Sequence, residues 1–579
     1  DNTINISNVK DSGIIFQGAG ANETVLIFDG VDKNSHCFNI YGQYTGSRKS
    51  IDKNINKGEQ WIYTNDGTSG IVVGDWIHFC EPGFNDDYPE EDSWNGQISK
   101  VIDIDINRIK IKDETSKSYA FSNNMWIQEI DPAYNIGFEN FKIERTNTTK
   151  GYGSTFHFDL AVNCWIRGVE SYNCTGYHVS IGKSSHIEVS GSYFHHATNY
   201  DSNQGTGYGV VLGQSSTNCL IENNIFRKTR HAMVVGTGAN CNVFTYNYSR
   251  EQEWDWNFLY PGADICIHGR YPYANLFEHN TIDFIMADPS HGDNGPYNTF
   301  FRNRYPSKST ICIFNSSYTN VIGNVNVSEV ITDPSWLVEL GYSLWGYDVK
   351  ESTHTFDRYF NYYPEGPDWD WGWSSITHGL WWSIFQPDAF YFNVMFPRSF
   401  LNDVSYYYDG RPEFISAQYY TWPSNGPSTN LDRDNTIEPT GWLIPAEDRW
   451  GESIKTYINP TDWPDKTYIS GQFSRDIKLP SSLVHDVQVI DDLVILSGAT
   501  LTIEPGINLF FNSNTGLTVY GTLDAQGTIN APIFFTSSQS SPSPGDWYGI
   551  VVEDGGEIEL NHAKVEYATY GVKSSYADV

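Results

Sequence analysis

The strongest constraint on the fold is an asparagine that recurs at one position of a repeated phrase. The phrases are NCLIENNIFRKTR, CNVFTYNYSRE, ANLFEHNTIDF and NTFFRNRYPS, and their shared residues are Asn224, Asn247, Asn280 and Asn303. A second, apolar phrase alternates with the first and begins at His178, Gly209, Ala232, Asp264 and Thr310. Two short strands per repeat cannot bury a core alone, so the repeats must stack on one another.

The length and period of these phrases indicate β-strands. Each is a short run in which apolar and polar residues alternate, which is the period of a strand with one buried face. An asparagine at a fixed offset would then bond its amide to the same residue in the next coil. The sequence therefore predicts an all-β chain folded as a right-handed parallel β-helix.

We divide the chain into four regions. Residues 1–134 read as the start of the β-helix with a small β-elaboration, and residues 135–327 as its regular coils. Residues 328–478 are an aromatic-rich, irregular cap and connection, whose rings suit either packing or sugar stacking. Residues 479–579, with LTIEPGINLFF, read as a second, C-terminal β-helical segment with an accessory role.

Composition excludes some partners. The formal charge of -34, with 70 acidic against 36 basic residues, argues against nucleic acid and anionic membranes. The sequence has no run of 18 apolar residues that would span a bilayer. We expect a secreted or cell-surface protein, extracellular or periplasmic, that starts at Asp1 in its mature form and acts as a monomer.

The eight cysteines do not resemble a disulfide framework. Most of them open strands or lie within them, which is typical of small buried fillers in a coil interior. Cys37 and Cys80 are the one pair that could bond. Because the cysteine and histidine spacing matches no zinc site, we predict no cofactor, with Ca²⁺ as the alternative.

Two repeats are longer than their neighbours. The steps from His178 to Gly209 and from Ala232 to Asp264 are 31 and 32 residues, and the extra residues lie in 196–206 and 249–262. Both insertions follow the first phrase and precede the second, so they should emerge on one side of the stack. We predict a trough between them; simple surface decoration is the alternative.

The candidate catalytic residues lie beside this trough. If the second phrase is stacked with a one-residue slip, Asp264 and Asp288 fall on neighbouring coils, each followed by a His-Gly at His268 and His291. Two carboxylates on adjacent coils, about 4.8 Å apart, would separate their pKa values as acid/base catalysis requires. The alternative is ordinary turn chemistry for Asp-Pro and His-Gly.

Basic, aromatic and acidic residues of the same coils are candidates for substrate binding. The basic residues would bind sulfate or carboxylate groups within an acidic chain, the aromatic residue would stack on sugar rings, and Glu251 and Asp293 are alternate carboxylates. The candidates are Arg230, His231, Arg270, Glu251, Asp293, Trp254 and Arg302. The alternative is that the arginines and lysines pair with nearby glutamates, such as Glu251 and Glu253, on the outer surface.

The regular coils, the asparagine repeats and the Gly-rich coil starts resemble the pectate-lyase-like superfamily of right-handed parallel β-helices. The acidic, Asn- and Ile-rich style is similar to secreted carbohydrate-active proteins of Bacteroidetes. Asp264, Asp288 and His291-Gly292 resemble the paired Asp and His-Gly of polygalacturonase-like enzymes. The DPSH at Asp288 resembles the DPH of alginate epimerases, with Ser290 inserted. The resemblance implies a fold, and the superfamily contains several reactions.

Three functions are consistent with these features. The first is a glycoside hydrolase that cleaves an anionic, sulfated, algal-type polysaccharide with Asp264 and Asp288 as the carboxylates. The second is a polysaccharide lyase in which Arg230, His231 or Arg270 takes the C5 proton of a uronate. The third is a glycan-binding solenoid without catalysis. Each implies a polysaccharide as partner.

Overall fold

The computed structural model describes most of the chain outside the aromatic-rich region. The described residues are 3–7, 13–82, 95–146, 149–200, 205–253, 262–288, 291–316, 318–322, 324–331, 407–408, 412, 444–450, 466–473, 477–479 and 486–574. They form two compact units, Asp1–Ile458 and Asn459–Val579. The four predicted region boundaries stay predictions, and the predicted aromatic cap lies almost entirely outside the described residues.

The first unit is a parallel β-helix with three sheets, so the predicted fold class is confirmed. Sheet A contains Ile4–Ser7, Phe38–Tyr41, Ser154–Asp159, Tyr177–Gly182, Tyr208–Gly213, His231–Val235, Ile265–Ile267, Ile285–Ala287, Arg304–Ile313 and Val325–Ile331. Sheet B contains Ile15–Gln17, Gly137–Glu139, Trp165–Arg167, Glu188–Ser190, Leu220–Glu222, Val243–Thr245, Leu276–Glu278, Thr299–Phe301 and Asn320–Ile322. Sheet C contains Val25–Phe28, Lys142–Arg145, Glu170–Cys174, Tyr193–Ala197, Ile225–Arg227 and Tyr248–Arg250. Each regular coil runs from sheet B to sheet C to sheet A.

Alternation places one side of every strand in a continuous core. On sheet A, Val179, Val210, Met233 and Ile265 occupy one inward-facing column, meaning the same position on successive paired strands. All four side chains are fully buried in the main apolar cluster. Because the strands are in parallel register, every outward-facing residue also has a neighbour directly above and below it.

The repeated asparagines form the predicted ladder inside the coil. The side-chain amide of each donates to the next side-chain oxygen at 3.0 Å, from Asn224 through Asn247, Asn280 and Asn303 to Asn324. A second ladder joins Asn242, Asn275 and Asn298, also at 3.0 Å. The sequence shows it as the Asn that opens NVF, NLF and NTF, a signal that our prediction missed.

An antiparallel sheet leaves the β-helix after its first coils and returns to it. Its strands are Gln43–Ser50, Trp61–Tyr63, Trp76–Glu81, Asn95–Asp105, Arg108–Ile111 and Trp126–Asp131, with a 3-10 helix at Phe121–Asn123. The carbonyl of Gly96 in this sheet accepts hydrogen bonds from Asn240 Nδ2 at 2.8 Å and Tyr273 Oη at 3.0 Å. The inserted sheet is therefore bonded to coils far along the chain. The return is followed by a two-stranded pair, Ala133–Tyr134 with Ala161–Val162.

One short helix packs on the corner between sheets B and C. It spans Pro445–Trp450, and Arg449 donates to the side-chain oxygen and carbonyl of Asn223 at 2.8 and 2.6 Å. No helix in the described residues is long and apolar enough to span a membrane.

The C-terminal unit is built from two parallel sheets. One contains Lys466–Phe473, Asp486–Ile495, Asn508–Phe511, Gly516–Val519, Ile533–Ser537, Gly549–Val552, Ala563–Val565 and Val572–Ser574. The other contains Ile477–Leu479, Thr500–Ile503, Thr522–Gln526 and Glu557–Asn561. This unit has its own apolar core, so it is a second β segment.

All eight cysteines are free thiols, and seven of them are buried. Cys37 and Cys80 are each buried separately, so the pairing considered from the sequence is not formed.

Candidate functional site

The register of sheet A decides which acidic residues can meet. His178, Gly209, Ala232 and Asp264 share one column, as the sequence predicts. The next residue of that column is Phe284, because Ile265 pairs with Ile285. Asp288 lies four residues further along its strand, which is about 13 Å at the rise of a strand. The predicted pair of Asp264 and Asp288 is therefore wrong.

Asp264 faces the inside of the coil. Its side chain is fully buried, and Oδ2 accepts the backbone N–H groups of Asp283 at 2.6 Å and Phe284 at 2.8 Å. Burial, and next the charge of Asp283, raises the pKa of Asp264 to about 7. These contacts hold the turn before the next strand of sheet A. The geometry gives Asp264 a structural role, contrary to the predicted catalytic one.

His268 and Asp288 form a pair on the outer face of sheet A. Ile267 pairs with Ala287, so the residues that follow them, His268 and Asp288, lie opposite each other on neighbouring coils. Because an ionised carboxylate only accepts, Nδ1–H of His268 donates to Oδ2 of Asp288, at 2.7 Å. The Asp288 side chain is 7% exposed and that of His268 is 21% exposed. This bond directs Nε2 of His268 away from the carboxylate.

Two further histidines of the predicted site, His231 and His291, lie beside this pair. The rings of His291 and His268 meet edge to face, with 4.5 Å between their centroids. The centroid of the His231 ring lies 6.3 Å from that of His268. Burial, and then the charge of His268, lowers the pKa of His291 to about 4. Burial and Arg230 lower the pKa of His231 well below its usual value, and the backbone of Ala263 holds its Nδ1. Both rings are neutral near pH 7.

Arg230 brings a positive charge to the same face. It is 5% exposed, and its Nη1 donates to the hydroxyl of Tyr208 at 3.3 Å. Its charge lowers the pKa values of His231 and His291. The predicted residues Arg230, His231, His268, Asp288 and His291 are thus brought within electrostatic reach of one another.

Arg270 and Asp293 belong to the turns that leave sheet A at this point. The backbone N–H of Arg270 donates to the carbonyl of His291 at 3.0 Å, so the two turns are stacked. Asp293 is exposed, and its Oδ1 accepts from Asn315 Nδ2 at 3.2 Å. Their roles in substrate binding stay predictions.

Two predicted binding residues lie elsewhere. Glu251 pairs with Arg227 at 2.7 Å beside sheet C, and Lys228 lies 3.6 Å from Glu253, so these charges are paired at the surface. Arg302 is fully buried at the corner between sheets B and C with a left-handed φ of 52°. Its predicted place facing the trough is therefore wrong.

The described residues that flank the two insertions lie at equivalent places in the coil. Each lies between a strand of sheet C and the next strand of sheet A, after Tyr193–Ala197 and after Tyr248–Arg250. Trp254 lies outside the described residues, so its sugar-stacking role stays a prediction, as does the trough itself.

Cys266 lies next to His268, although the sequence analysis predicts only a buried filler at this position. It lies two residues before His268, so both side chains are on the outer face, and its Sγ is 3.8 Å from His268 Nδ1. Burial, and next the charge of Asp288, raises the pKa of this thiol well above its usual value. Among the described residues, Cys266, His268 and Asp288 are the one group of such side chains that could hold a metal ion. Calcium prefers a shell of several oxygen ligands, and in this group only the Asp288 carboxylate supplies oxygen.

Several solved structures are similar to this chain at low sequence identity. The tailspike Gp54 of Acinetobacter baumannii bacteriophage AP22, solved with A. baumannii capsular saccharide, is 12% identical; the alignment covers 99% of this chain and 72% of that one, with a TM-score of 0.41. The tailspike gp49 of Pseudomonas phage LKA1 is 10% identical, with coverage of 96% and 70% and a TM-score of 0.41. PfbA, a surface adhesin of Streptococcus pneumoniae, is 10% identical, with coverage of 76% and 83% and a TM-score of 0.26.

A search of curated proteins gave no match. The family model described as a pectate-lyase like beta helix domain matches residues 471–577. This stretch coincides with the C-terminal unit, whose two parallel sheets carry the matched sequence. Residues 471–577 are therefore similar to pectate-lyase-like β-helix domains.

Proposed function

We propose that the protein cleaves an anionic polysaccharide at His268 and Asp288 on the outer face of sheet A. The observation that carries the proposal is the 2.7 Å hydrogen bond from His268 Nδ1 to Asp288, with Arg230 in electrostatic reach. A carboxylate that holds one ring nitrogen of a histidine fixes the tautomer and leaves the other nitrogen as a base. An arginine beside it suits a carboxylate or sulfate of the glycan.

The reaction that this geometry supports best is β-elimination. Nε2 of His268 takes the C5 proton of a uronate, while Asp288 stabilises the imidazolium that forms. The C5–H electrons form the C4–C5 double bond, and the C4–O bond breaks as its oxygen takes a proton from water. Arg230 pairs with the uronate carboxylate, so the negative charge that develops next to C5 is offset.

Glycoside hydrolysis is the second candidate. It requires two carboxylates, and the pair built on Asp264 is removed because that side chain faces the coil interior. Asp293 supports the hydrolase version, because it is exposed in the turn that follows Asp288. In this version Asp288 and Asp293 divide the acid and base roles, and Arg230 and Arg270 bind charged groups such as sulfate.

One assay separates the reactions. The full chain is incubated with fucans, carrageenans, alginate, pectin and glycosaminoglycans in the presence of a chelator. We expect new reducing ends with matching ultraviolet absorbance from an unsaturated uronate. Reducing ends without that absorbance would instead identify the hydrolase. Binding without either product would identify the non-catalytic solenoid and overturn cleavage.

A pair of variants locates the chemistry. We expect His268→Ala to lower the cleavage rate by about 10²–10⁴-fold, the usual contribution of a general base. The matched control is His562→Ala, because His562 is exposed in the C-terminal unit. Cleavage by His268→Ala at the control rate would place the chemistry elsewhere.

We also propose that the protein works outside the cytoplasm and is a monomer. Light scattering of the purified chain measures its molecular mass and so tests the monomer.

A further inference from the structure

Three different donor atoms lie close together on the outer face of sheet A, where two of its inner strands end. They belong to Cys266, His268 and Asp288. Cys266 and His268 share the outer face because they are two residues apart on one strand. Asp288 lies opposite His268 on the next coil. The Cys266 Sγ to His268 Nδ1 distance is 3.8 Å, the His268 Nδ1 to Asp288 Oδ2 distance is 2.7 Å, and all three donors lie within 4.8 Å of one another.

These separations are close to those of a tetrahedral metal centre. With bonds of about 2.0–2.3 Å to zinc, neighbouring donors are about 3.3–3.8 Å apart. Shifts on the order of 1 Å would bring the three donors to that spacing. A thiolate, an imidazole and a carboxylate form a mixed set that suits zinc and its neighbours in the first transition row, and that does not suit Ca²⁺ or Mg²⁺.

We propose that Cys266, His268 and Asp288 bind a Zn²⁺-class transition-metal ion with three protein ligands and one open position. The partly exposed ring of His268 gives an ion access to the site. The open position takes water or a glycan oxygen. The binding site goes beyond the proposed function and does not depend on it.

The ion and the proposed cleavage should exclude each other. A metal on Nδ1 of His268 replaces the proton shared with Asp288. The neutral ring then carries its remaining proton on Nε2, which can no longer accept one from a uronate. This second step rests on the proposed function, whereas metal binding can be measured without any glycan.

The test is a cobalt titration of the full chain after chelator treatment. We expect one Co²⁺ per chain, visible d–d absorption of a tetrahedral site and a near-ultraviolet thiolate-to-cobalt band. Zn²⁺ should remove these signals, and Ca²⁺ and Mg²⁺ should not. The Cys266→Ser variant should lose the thiolate band and bind cobalt at least about tenfold more weakly. Loss of a residue that only supports a metal ligand already weakens binding by about that factor, and loss of a ligand should weaken it more.

Cys312→Ser is the matched control. Cys312 is buried on the same outer face, in the column that also contains Cys266 and Met286. It should keep the cobalt spectrum. Asp288→Asn should keep the thiolate band and lower the affinity, which gives a second measurement if Cys266→Ser fails to fold.

The outcomes are separable. The metal site is overturned if the wild-type chain gives no thiolate band, if Cys266→Ser keeps the band, or if Cys312→Ser loses it equally. If the chain cleaves glycan in the presence of chelator but gives no cobalt spectrum, the metal site alone is contradicted. If it gives the cobalt spectrum but cleaves no glycan in the presence of chelator, the proposed function alone is contradicted. Cleavage that persists with one Zn²⁺ bound would overturn their mutual exclusion.

Discussion

The coils at residues 135–327 and the C-terminal unit stack parallel strands in the same way but fill their interiors differently. The first region carries two ladders of buried asparagine, such as Asn247 bonded to Asn280 at 3.0 Å. The C-terminal unit has an apolar interior, with Phe511 stacked on the buried Trp547 at 3.9 Å. Its amide Asn508 is half-buried and bonds to Asp486 at 2.7 Å. The first region thus adds ladders of buried hydrogen bonds to its apolar core, whereas the interior of the C-terminal unit is filled mainly by apolar packing.

The two regions also differ at the corners of their coils, where the chain turns from one sheet to the next. In the C-terminal unit, the described non-glycine residues with positive φ are Asn514, His562 and Tyr567, whereas such residues recur at the corners of the first region. Left-handed corners turn the chain within one residue. The site residues lie in the region with these tight, polar corners, next to turns of variable length. The hydrogen-bonded ladders and tight corners therefore hold the coils of the first region in a close register, which the site proposed on their surface requires.

The sharpest way to break this comparison is to remove one rung of the ladder. Asn247→Ala removes the acceptor of the backbone N–H of Asn224 and of one of its side-chain N–H groups. It also removes one donor each from the carbonyl of Ile221 and the side-chain oxygen of Asn280, which still accepts the backbone N–H of residue 247. Unmatched buried polar groups are costly, so we expect a loss of about 3–5 kcal/mol in the unfolding free energy of the first unit. Calorimetry of the full chain measures it.

The control for this variant lies in the other unit. Asn508→Ala removes one half-buried hydrogen bond and should cost about 1 kcal/mol or less. If both variants cost the same, the ladder is not what stabilises the first unit.

A second prediction contrasts an outward and an inward carboxylate of the same coils. Asp288→Asn should slow cleavage by about 10²–10⁴-fold, because the amide no longer stabilises a protonated His268. Asp264→Asn should leave the rate nearly unchanged, because Asp264 is fully buried and its hydrogen bonds go to the N–H groups of a turn and to Ser249. Initial rates on the cleaved glycan, with thermal melting as a check of folding, measure both. Equal losses would return Asp264 to the reaction.

A third prediction uses pH to separate the two regions. His178 is fully buried against Ser171, and burial lowers its pKa to about 3. A lowered pKa means that its contribution to stability is complete above the unfolded value near 6.5 and is lost as the pH falls towards 3. Between pH 6.5 and 5 the loss is about 2 kcal/mol.

Urea unfolding of the first unit at pH 7 and 5 checks this prediction. His178→Gln should flatten the pH dependence, although it also lowers the stability at pH 7. The exposed His562 serves as the comparison, and His562→Gln should change nothing. An unchanged slope in His178→Gln would show that other groups cause the acid sensitivity.

The smallest expected effect concerns a surface pair on sheet C. Arg227 and Glu251 are 31% and 43% exposed, so Arg227→Ala should cost about 0.2–1 kcal/mol and leave cleavage unchanged. The matched variant is Arg230→Lys, which keeps a charge but loses the fork of the guanidinium. It should raise KM for an anionic glycan. A raised KM in Arg227→Ala would extend the binding surface to sheet C.

Much of the fold could be predicted from the sequence, because stacking repeats the same physical demand in every coil. The asparagine offset predicted the ladder, and the apolar phrases predicted the register from His178 to Asp264. The prediction failed at the next coil, where the strand begins at Ile285 and the additional residues lie in the turn after Asp288. Spacing alone does not say whether added residues fall before or after a strand.

The site was predicted in part for the same reason. His268, Asp288 and His291 follow short apolar strands, and residues at strand ends of adjacent coils meet. Arg302 was misplaced because a left-handed corner is easily recognised at Asn or Gly but not at Arg. Cys266 was overlooked because a small residue in a strand usually packs inward, and only the register shows that it shares a face with His268.

The bond between the inserted sheet and distant coils affects how the stack can come apart. Solenoids often unravel from an end, one repeat at a time, because each repeat touches only its neighbours. Here the carbonyl of Gly96 ties the early part of the chain to Asn240 and Tyr273, more than a hundred residues onward. Unravelling from that end cannot pass the inserted sheet without releasing this tie, so it must disturb the later coils of the first unit, which carry the proposed site.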